Sequence, residues 1–273
     1  AARDYYSPVT ACILQDRLGL SDECVCYDVP LECSAYVYGL YQAAMHLNSG
    51  CHAVLLMTGL TEDQVPDTHV YQNFPMLLGH AGSATLIEYD ENAEPIYGLL
   101  RSIGRGASTL VVPYGGQRHP LPMVAKDVGI EKAAELHNNY YMEGMDIMRF
   151  SLTDVVRMMK DFKEHFHCDF DQYEILACHQ ANKLIVDNFV RKIGFPADRV
   201  PLTITKYANT GGASIPLTIC RHYGELADLS STGKVLACGF GIGLSLGVVS
   251  VKIEPRGCFP IMKVKDRYDD GLT

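Results

Sequence analysis

A thiol, an imidazole and a carboxamide stand in three short segments far apart in the chain. They are Cys33 in Leu31-Glu32-Cys33-Ser34-Ala35, His179 in Cys178-His179-Gln180-Ala181-Asn182, and Asn209 in Ala208-Asn209-Thr210-Gly211-Gly212. A thiolate attacks a thioester carbonyl well and leaves well, while an imidazole and a carboxamide can hydrogen-bond an oxygen on which charge develops. Each residue also has a plainer reading. A free Cys is commonly a small buried hydrophobe, a His beside a strand end is commonly structural, and Asn209 could simply cap a helix starting near Gly211. Context favours the chemistry: each segment falls where an expected strand gives way to loop or helix, the place where α/β folds expose reacting groups at one sheet edge. At a helix N-terminus, free N–H groups and aligned peptide dipoles would favour a negative sulfur on Cys33. Glu32 would oppose that and is expected to face away.

The elements that must position these groups follow from pattern. Ser7 to Leu18 reads as a helix with N-cap Ser7, Pro8 in the first turn, Ala11, Leu14 and Leu18 on one face, and Gly19 as its stop. Cys24 to Val29 reads as a short buried strand, Ser34 to Leu47 as a helix, and Ala53 to Gly59 and Ser83 to Tyr89 as strands. From Asp90 to Glu143 the pattern weakens among Pro113, Gly115, Gly116, Pro120 and Pro122, which suggests a crossover and lid. Asp146 to His165 regains helical spacing. The last third then alternates: strand Glu174 to Cys178, helix Asn182 to Ile193, strand Val200 to Ile204, helix Gly212 to Tyr223, and strands Lys234 to Gly239 and Leu244 to Ile253 as an antiparallel hairpin. Such alternation implies a layered α/β fold with helices on the sheet faces. Cys258 to Thr273 reads as a polar, peripheral tail.

A chain of 273 residues that is 48% hydrophobic can bury a sizeable core. The net charge of −9, without a dense Lys/Arg run, argues against nucleic acid as a partner. Apolar stretches are far shorter than the ~20 residues needed to span a bilayer, so a soluble, cytoplasmic protein without membrane association is expected. Residues 1–6 show no signal-peptide pattern. The ten Cys, in contexts such as Cys12, Cys220 and Cys238, read as buried reduced thiols. Cys24 and Cys26, or His165, His167 and Cys168, could be half a metal site, but neither has a second pair at zinc-like spacing, so no metal is expected.

Gly239-Phe240-Gly241-Ile242-Gly243 superficially suggests a dinucleotide loop, yet a β-branched strand follows where such a loop must open a helix. Glycines here instead allow a tight turn that brings backbone N–H groups near a reacting atom, as in an oxyanion hole. These glycines, His179-Gln180-Ala181-Asn182 and Asn209-Thr210-Gly211-Gly212-Ala213-Ser214-Ile215-Pro216 resemble the motifs of β-ketoacyl-[acyl-carrier-protein] synthase III enzymes of the thiolase superfamily. The order Cys, His, Asn agrees, as do Gly79-His80-Ala81-Gly82-Ser83 and Met142-Glu143-Gly144, and the likeness runs to about Glu254.

The resemblance implies a thiolase-like layered fold of two related halves: residues 1–92 as a partial N-terminal half with the Cys, 93–145 as crossover and lid, and 146–273 as the C-terminal half with His and Asn. It implies acylation of Cys33 from acyl-CoA, with N–H groups of Cys33 and Ile242 as the oxyanion hole. Decarboxylating Claisen condensation with a malonyl thioester follows, assisted by His179 and Asn209, in fatty acid or secondary metabolism. It further implies a homodimer, an acyl carrier protein as a partner, and no cofactor beyond the thioester substrates. Non-condensing acyl transfer to a small acceptor and a non-catalytic partner subunit are the alternatives; a Cys/His/Asn protease is disfavoured by the strand and helix order. Lys183, Tyr36 and Gly211 are expected at the substrate. Two departures stand out. Ser34-Ala35-Tyr36 replaces the usual small residue, Gly and aromatic, and is expected to reshape the acyl pocket, while Lys183 and Leu184 stand where the family often has Leu and then Arg. The chain also opens at what resembles the second helix of the N-terminal half, so a fragment, or strands supplied by another segment, is expected.

Overall fold

The computed structural model describes residues 4–61, 77–137, 139–225 and 231–265. Its centre is a four-stranded sheet built from β3 (Tyr97–Ser102), β6 (Ile175–Cys178), β7 (Lys234–Gly241) and β8 (Ser245–Lys252), in the order β3-β8-β7-β6. β6 runs parallel to β7, while β7–β8 and β8–β3 are antiparallel. β6, β7 and β8 are buried along nearly their whole length, which explains why their sequences are continuously apolar rather than alternating.

Each face of this sheet receives a pair of helices. On one lie α5 (Gly144–Phe166) and α6 (Lys183–Ile193), sharing a core in which Phe150, Val155, Met158, Met159 and Phe162 meet Phe189, Leu236, Phe240 and Val248. The helical spacing of those α5 residues puts them on one face. On the other lie α2 (Ala35–Asn48) and α8 (Ser214–Tyr223), where Tyr36, Val37 and Leu40 pack with Ile215, Ile219, Ala237 and Val249. α2 approaches the sheet over the paired Gly239 and Gly247. A Cβ on either would lie 2.8 Å from the Val37 side chain, so glycine is what admits the helix.

Beyond α2 and α8 stands a second sheet, the antiparallel pair β1 (Ala53–Leu60) and β2 (Ala81–Glu88). Its inner face reaches α2 through Leu56 and Ile87, and through the Tyr36 hydroxyl, 3.2 Å from Thr85 Oγ1. Its outer face leaves Leu55 and Leu86 exposed. A short pair, β4 (Leu110–Val111) with β5 (Tyr141–Met142), and helices α3 (Leu121–Val128) and α4 (Ile130–Leu136) occupy the stretch before α5.

Several expectations need correction. Cys24 to Val29 is not a strand; Val25 is 82% exposed, and Asp28 turns its carboxylate to the N–H groups of Thr10 and Ala11 at 3.0 Å. The alternating Val25, Tyr27 and Val29 mimicked a strand, but no described strand pairs with them. The first helix, α1, is only Thr10–Arg17, has Val9 rather than Ser7 at its N-cap, and buries no residue. The strand expected over Val200 to Ile204 is absent: residues 200–203 are loop leading into α7 (Ile204–Tyr207). There Gln180 Oε1 accepts from the N–H groups of Thr203 and Ile204, which a strand would have needed for its ladder. The 93–145 stretch is not all crossover, since β3 within it is an edge strand of the main sheet. All ten Cys are free, but only Cys178 and Cys238 are buried; Cys12, Cys24 and Cys51 are exposed. The tail expected from Cys258 exposes Phe259, Met262 and Val264, so it is less polar than its composition suggested; residues 266–273 lie outside the described residues.

Candidate active site

Cys33 sits in a 3-10 turn, Glu32–Ser34, that leads directly into α2. No side chain caps α2; its start continues the turn's backbone bonds, Ser34 N–H donating to the Leu31 carbonyl and Ala35 N–H to that of Glu32. The turn is tied to the β7–β8 hairpin by hydroxyls: Ser34 Oγ lies 2.6 Å from Ser245 Oγ, and Ser245 Oγ donates to the Ile242 carbonyl at 2.6 Å. Gly241 completes the seam. A Cβ there would fall 2.6 Å from Cys33 Cβ and 3.3 Å from its Sγ, so only glycine lets the hairpin backbone approach the thiol this closely.

His179 follows the last residue of β6 and is 3% exposed. Its Nδ1 lies 3.0 Å from Ser214 Oγ, and its ring meets Phe240 edge-on at 5.3 Å. Burial pulls its pKa down to about 4, against a smaller opposing effect of the Gly211 backbone. Three residues on, Asn182 caps α6 by accepting from the Ile185 N–H at 2.8 Å.

Asn209 is fixed from two sides. Its backbone forms a parallel bridge with Leu78, its N–H donating to the Leu77 carbonyl and its carbonyl accepting from Gly79, each at 2.8 Å. Its Oδ1 accepts from the Gly211 N–H at 2.9 Å. Asn209 is thus not the cap of that helix, since Thr210 and Ala213 hold the N-cap positions, but makes a local turn onto Gly211; because Oδ1 is used for it, the Nδ2 hydrogens are what the carboxamide can offer a ligand.

These elements enclose one cavity of about 140 Å³, bordered by Cys33, His179 and Asn209 together with Gly211, Gly241 and Ile242. The remaining wall is largely apolar, with Leu60, Leu110, Met142, Met148, Phe150 and Phe240 among its residues. Glu32, expected to face away, also borders the cavity. Tyr36 does not. It is 3% exposed in the core under α2, its hydroxyl is occupied by Thr85, and burial pushes its pKa up to about 12. Ser34 and Ala35 are likewise buried, so the Ser34-Ala35-Tyr36 departure faces packing rather than the cavity. Lys183 is about half exposed at the start of α6 and pairs with Asp187 at 2.5 Å instead of bordering the cavity. Ser214 belongs to a run whose motif is visible in sequence, but nothing in the spacing gives it a role. Phe240 is legible only as the bulky residue between two glycines. Among the described residues no group of three or more His, Cys, Asp or Glu could hold a metal ion, and no helix is long and apolar enough to cross a membrane.

Comparison with known proteins converges on one family. The profile described as 3-oxoacyl-[acyl-carrier-protein (ACP)] synthase III C terminal matches residues 165–253. A Campylobacter jejuni protein named as a 3-oxoacyl-[acyl-carrier-protein] synthase 3 is 31% identical over 247 residues, covering 89% of this chain and 68% of that protein. A β-ketoacyl-[acyl-carrier-protein] synthase III of Clostridium perfringens is 27% identical over 252 residues, covering 92% and 74%. Among solved structures, 3-oxoacyl-(acyl-carrier protein) synthase from Burkholderia xenovorans LB400 superposes with a TM-score of 0.77 at 30% identity, over 93% of this chain and 71% of that one.

Proposed function

The chain belongs to the 3-oxoacyl-[acyl-carrier-protein] synthase III family, and from that premise we propose how its own residues divide the work. It has the thiolase-like fold and is an acyltransferase of the condensing type. In our reading the Cys33 thiolate attacks an acyl thioester while the N–H groups of Cys33 and Ile242 hold the oxyanion. The donor's thiol leaves, and the acyl group stays on Sγ. A malonyl thioester then enters and loses carbon dioxide. His179 and Asn209 hydrogen-bond the thioester oxygen as it becomes an enolate, whose carbon attacks the acyl carbonyl and expels the sulfur. Donors aimed at charge that exists only transiently favour the transition state over the bound substrate.

The observation that supports this most is the shared cavity: three groups separated by up to 176 positions (209 − 33) border one largely apolar space. Acyl-CoA is the first substrate in this reading, and an acyl carrier protein bears the second. In this reading the working form is a cytoplasmic homodimer, and the outer edges of β1 and β2, unpaired among the described residues, are available as a seam.

Intact-mass measurement after incubation with acyl-CoA donors of graded length tests the proposal. A single acyl adduct is expected, absent in Cys33→Ala. Carbon dioxide release from a malonyl thioester should fall by about 10²-fold or more in Asn209→Ala. No adduct with any donor would favour a non-catalytic subunit, and an adduct without carbon dioxide release would favour plain acyl transfer.

A further inference from the structure

Ser214 stands behind His179, fully buried at the first position of α8, and its hydroxyl meets three groups. Its Oγ donates to the Gly211 carbonyl at 2.7 Å, lies 3.0 Å from His179 Nδ1 and accepts from the Gln180 N–H at 3.5 Å. A hydroxyl has one proton and two lone pairs. The Gly211 carbonyl can only accept, so the Ser214 proton goes there, and the lone pairs are left for Gln180 N–H and for Nδ1. Nδ1 must then carry hydrogen. Were the serine proton given to Nδ1 instead, two bare oxygens would face each other at 2.7 Å.

We propose that Ser214 is a positioning residue that holds His179 as the Nδ1–H tautomer, so that its other nitrogen, Nε2, can donate to substrate only after taking up a second proton. This consequence rests on the condensation read above. The proton comes from the Cys33 thiol: S–H breaks, Nε2–H forms, and a thiolate–imidazolium pair results. The thiolate forms its bond to the acyl carbon as the donor's C–S bond breaks, and the donor's thiolate departs to be protonated by water. The proton on Nε2 is held while an anion faces it, first the thiolate and then the malonyl carboxylate and the enolate. When the condensed product frees the Cys33 thiolate, the starting pair is restored.

The charged form is confined to those moments because burial disfavours it at other times. Of the other titratable groups bordering the cavity, Cys33 and Glu32 favour the cation when ionised, and Tyr140 is neutral in the working range. α8, α6 and β7 bring Ser214, Asn182 and Phe240 to the ring or the cavity, none of them ionisable in the working range. The Cys178 and Cys238 thiols beside it in the sheet are kept neutral by burial. Burial likewise keeps the His179 ring neutral until an anion faces it.

The test needs no variant to begin. Long-range ¹H–¹⁵N correlation on ¹⁵N-histidine-labelled protein, with His179→Gln for assignment, should show His179 protonated on Nδ1 at neutral pH; protonation on Nε2 alone would overturn the proposal. The second readout is the pH profile of carbon dioxide release from a malonyl thioester by the acylated protein. The wild type should lose about tenfold per pH unit on the alkaline side. Ser214→Ala should be slower by about tenfold at its optimum, show a shift toward Nε2–H, and lose that alkaline slope, because its neutral ring can donate. Ser214→Thr, which keeps the hydroxyl, should retain the slope. An unchanged slope and tautomer in a folded Ser214→Ala would refute the assignment. Absence of both acyl adduct and carbon dioxide would count against the functional reading instead, and the nitrogen assignment would still be read from the spectrum.

Discussion

The two sheets of this molecule differ in what surrounds them. The four-stranded sheet has a helix pair on each face and strands buried almost end to end. Among the described residues β1–β2 has helices on one face only, and along its strands half-buried and exposed residues largely alternate. Cys33 precedes β1 in sequence, yet α2, into which its turn leads, is packed into the core of the other sheet through Tyr36, Val37 and Leu40. Sequence order therefore misleads about which part of the molecule holds the thiol in place. The cysteine is encoded early and anchored late, against strands about two hundred residues or more downstream (Ala237 and Val249 beside Val37). The position of the nucleophile thus depends on the same core that carries His179 and, through α8, the Asn209 turn.

If that anchoring is right, removing a side chain from the α2 seam should act as a core mutation. Leu40 is 2% exposed, and Leu40→Ala is expected to cost about 2–5 kcal/mol in urea unfolding. It should also slow acylation of Cys33, because the turn that carries the thiol rides on the same helix. A loss under about 1 kcal/mol with acylation intact would mean that α2 belongs energetically to β1–β2 and would undo the comparison.

The parts that were legible in sequence are those whose partners are close at hand. β7 and β8 form a hairpin with continuous apolar runs, and α5 and α6 show strong helical spacing, so their existence and type follow from local pattern. β3 was not legible, because its place in the sheet depends on pairing with β8 nearly 150 residues later, beyond any local signal. Val200 to Ile204 misled for a related reason. Its apolar pattern suits a strand, but the buried Gln180 side chain supplies the hydrogen bonds that decide its course. At the site, His179, Asn209 and Gly211 were legible from their motifs and Tyr36 was not. Whether a residue three positions after a cysteine faces cavity or core is set by helix phase, which the motif does not contain.

The well-covered sheet should also be where a titration is felt in stability. His179 has a pKa near 4 when folded and about 6.5 when unfolded. Between those values the unfolded chain holds a proton that the folded chain lacks, so stability is full above the window and falls as pH drops through it. At its lower end the loss is about 3 kcal/mol. His179→Gln removes this contribution, so urea midpoints measured from pH 7 to pH 4 should decline less steeply in the variant. Parallel curves for the two proteins would show that the ring is charged in the folded state or is reached by water.

The smallest effect is expected where the comparison is most exposed to test, on the outer face of β1–β2. Leu86 is 60% exposed and stands directly opposite Leu55, with Ala84 and Met57 as the next pair on that face. Such a cross-strand pair contributes about 0.2–1 kcal/mol, and an exposed substitution usually changes stability by about 0.5 kcal/mol or less. Leu86→Ser should therefore leave the urea midpoint nearly unchanged. A loss of about 2 kcal/mol or more would require Leu86 to be buried in the folded protein in solution, by a second copy or by further chain. β1–β2 would then be a covered layer like the four-stranded sheet. The contrast between the two would describe this stretch of chain alone and not the assembled protein.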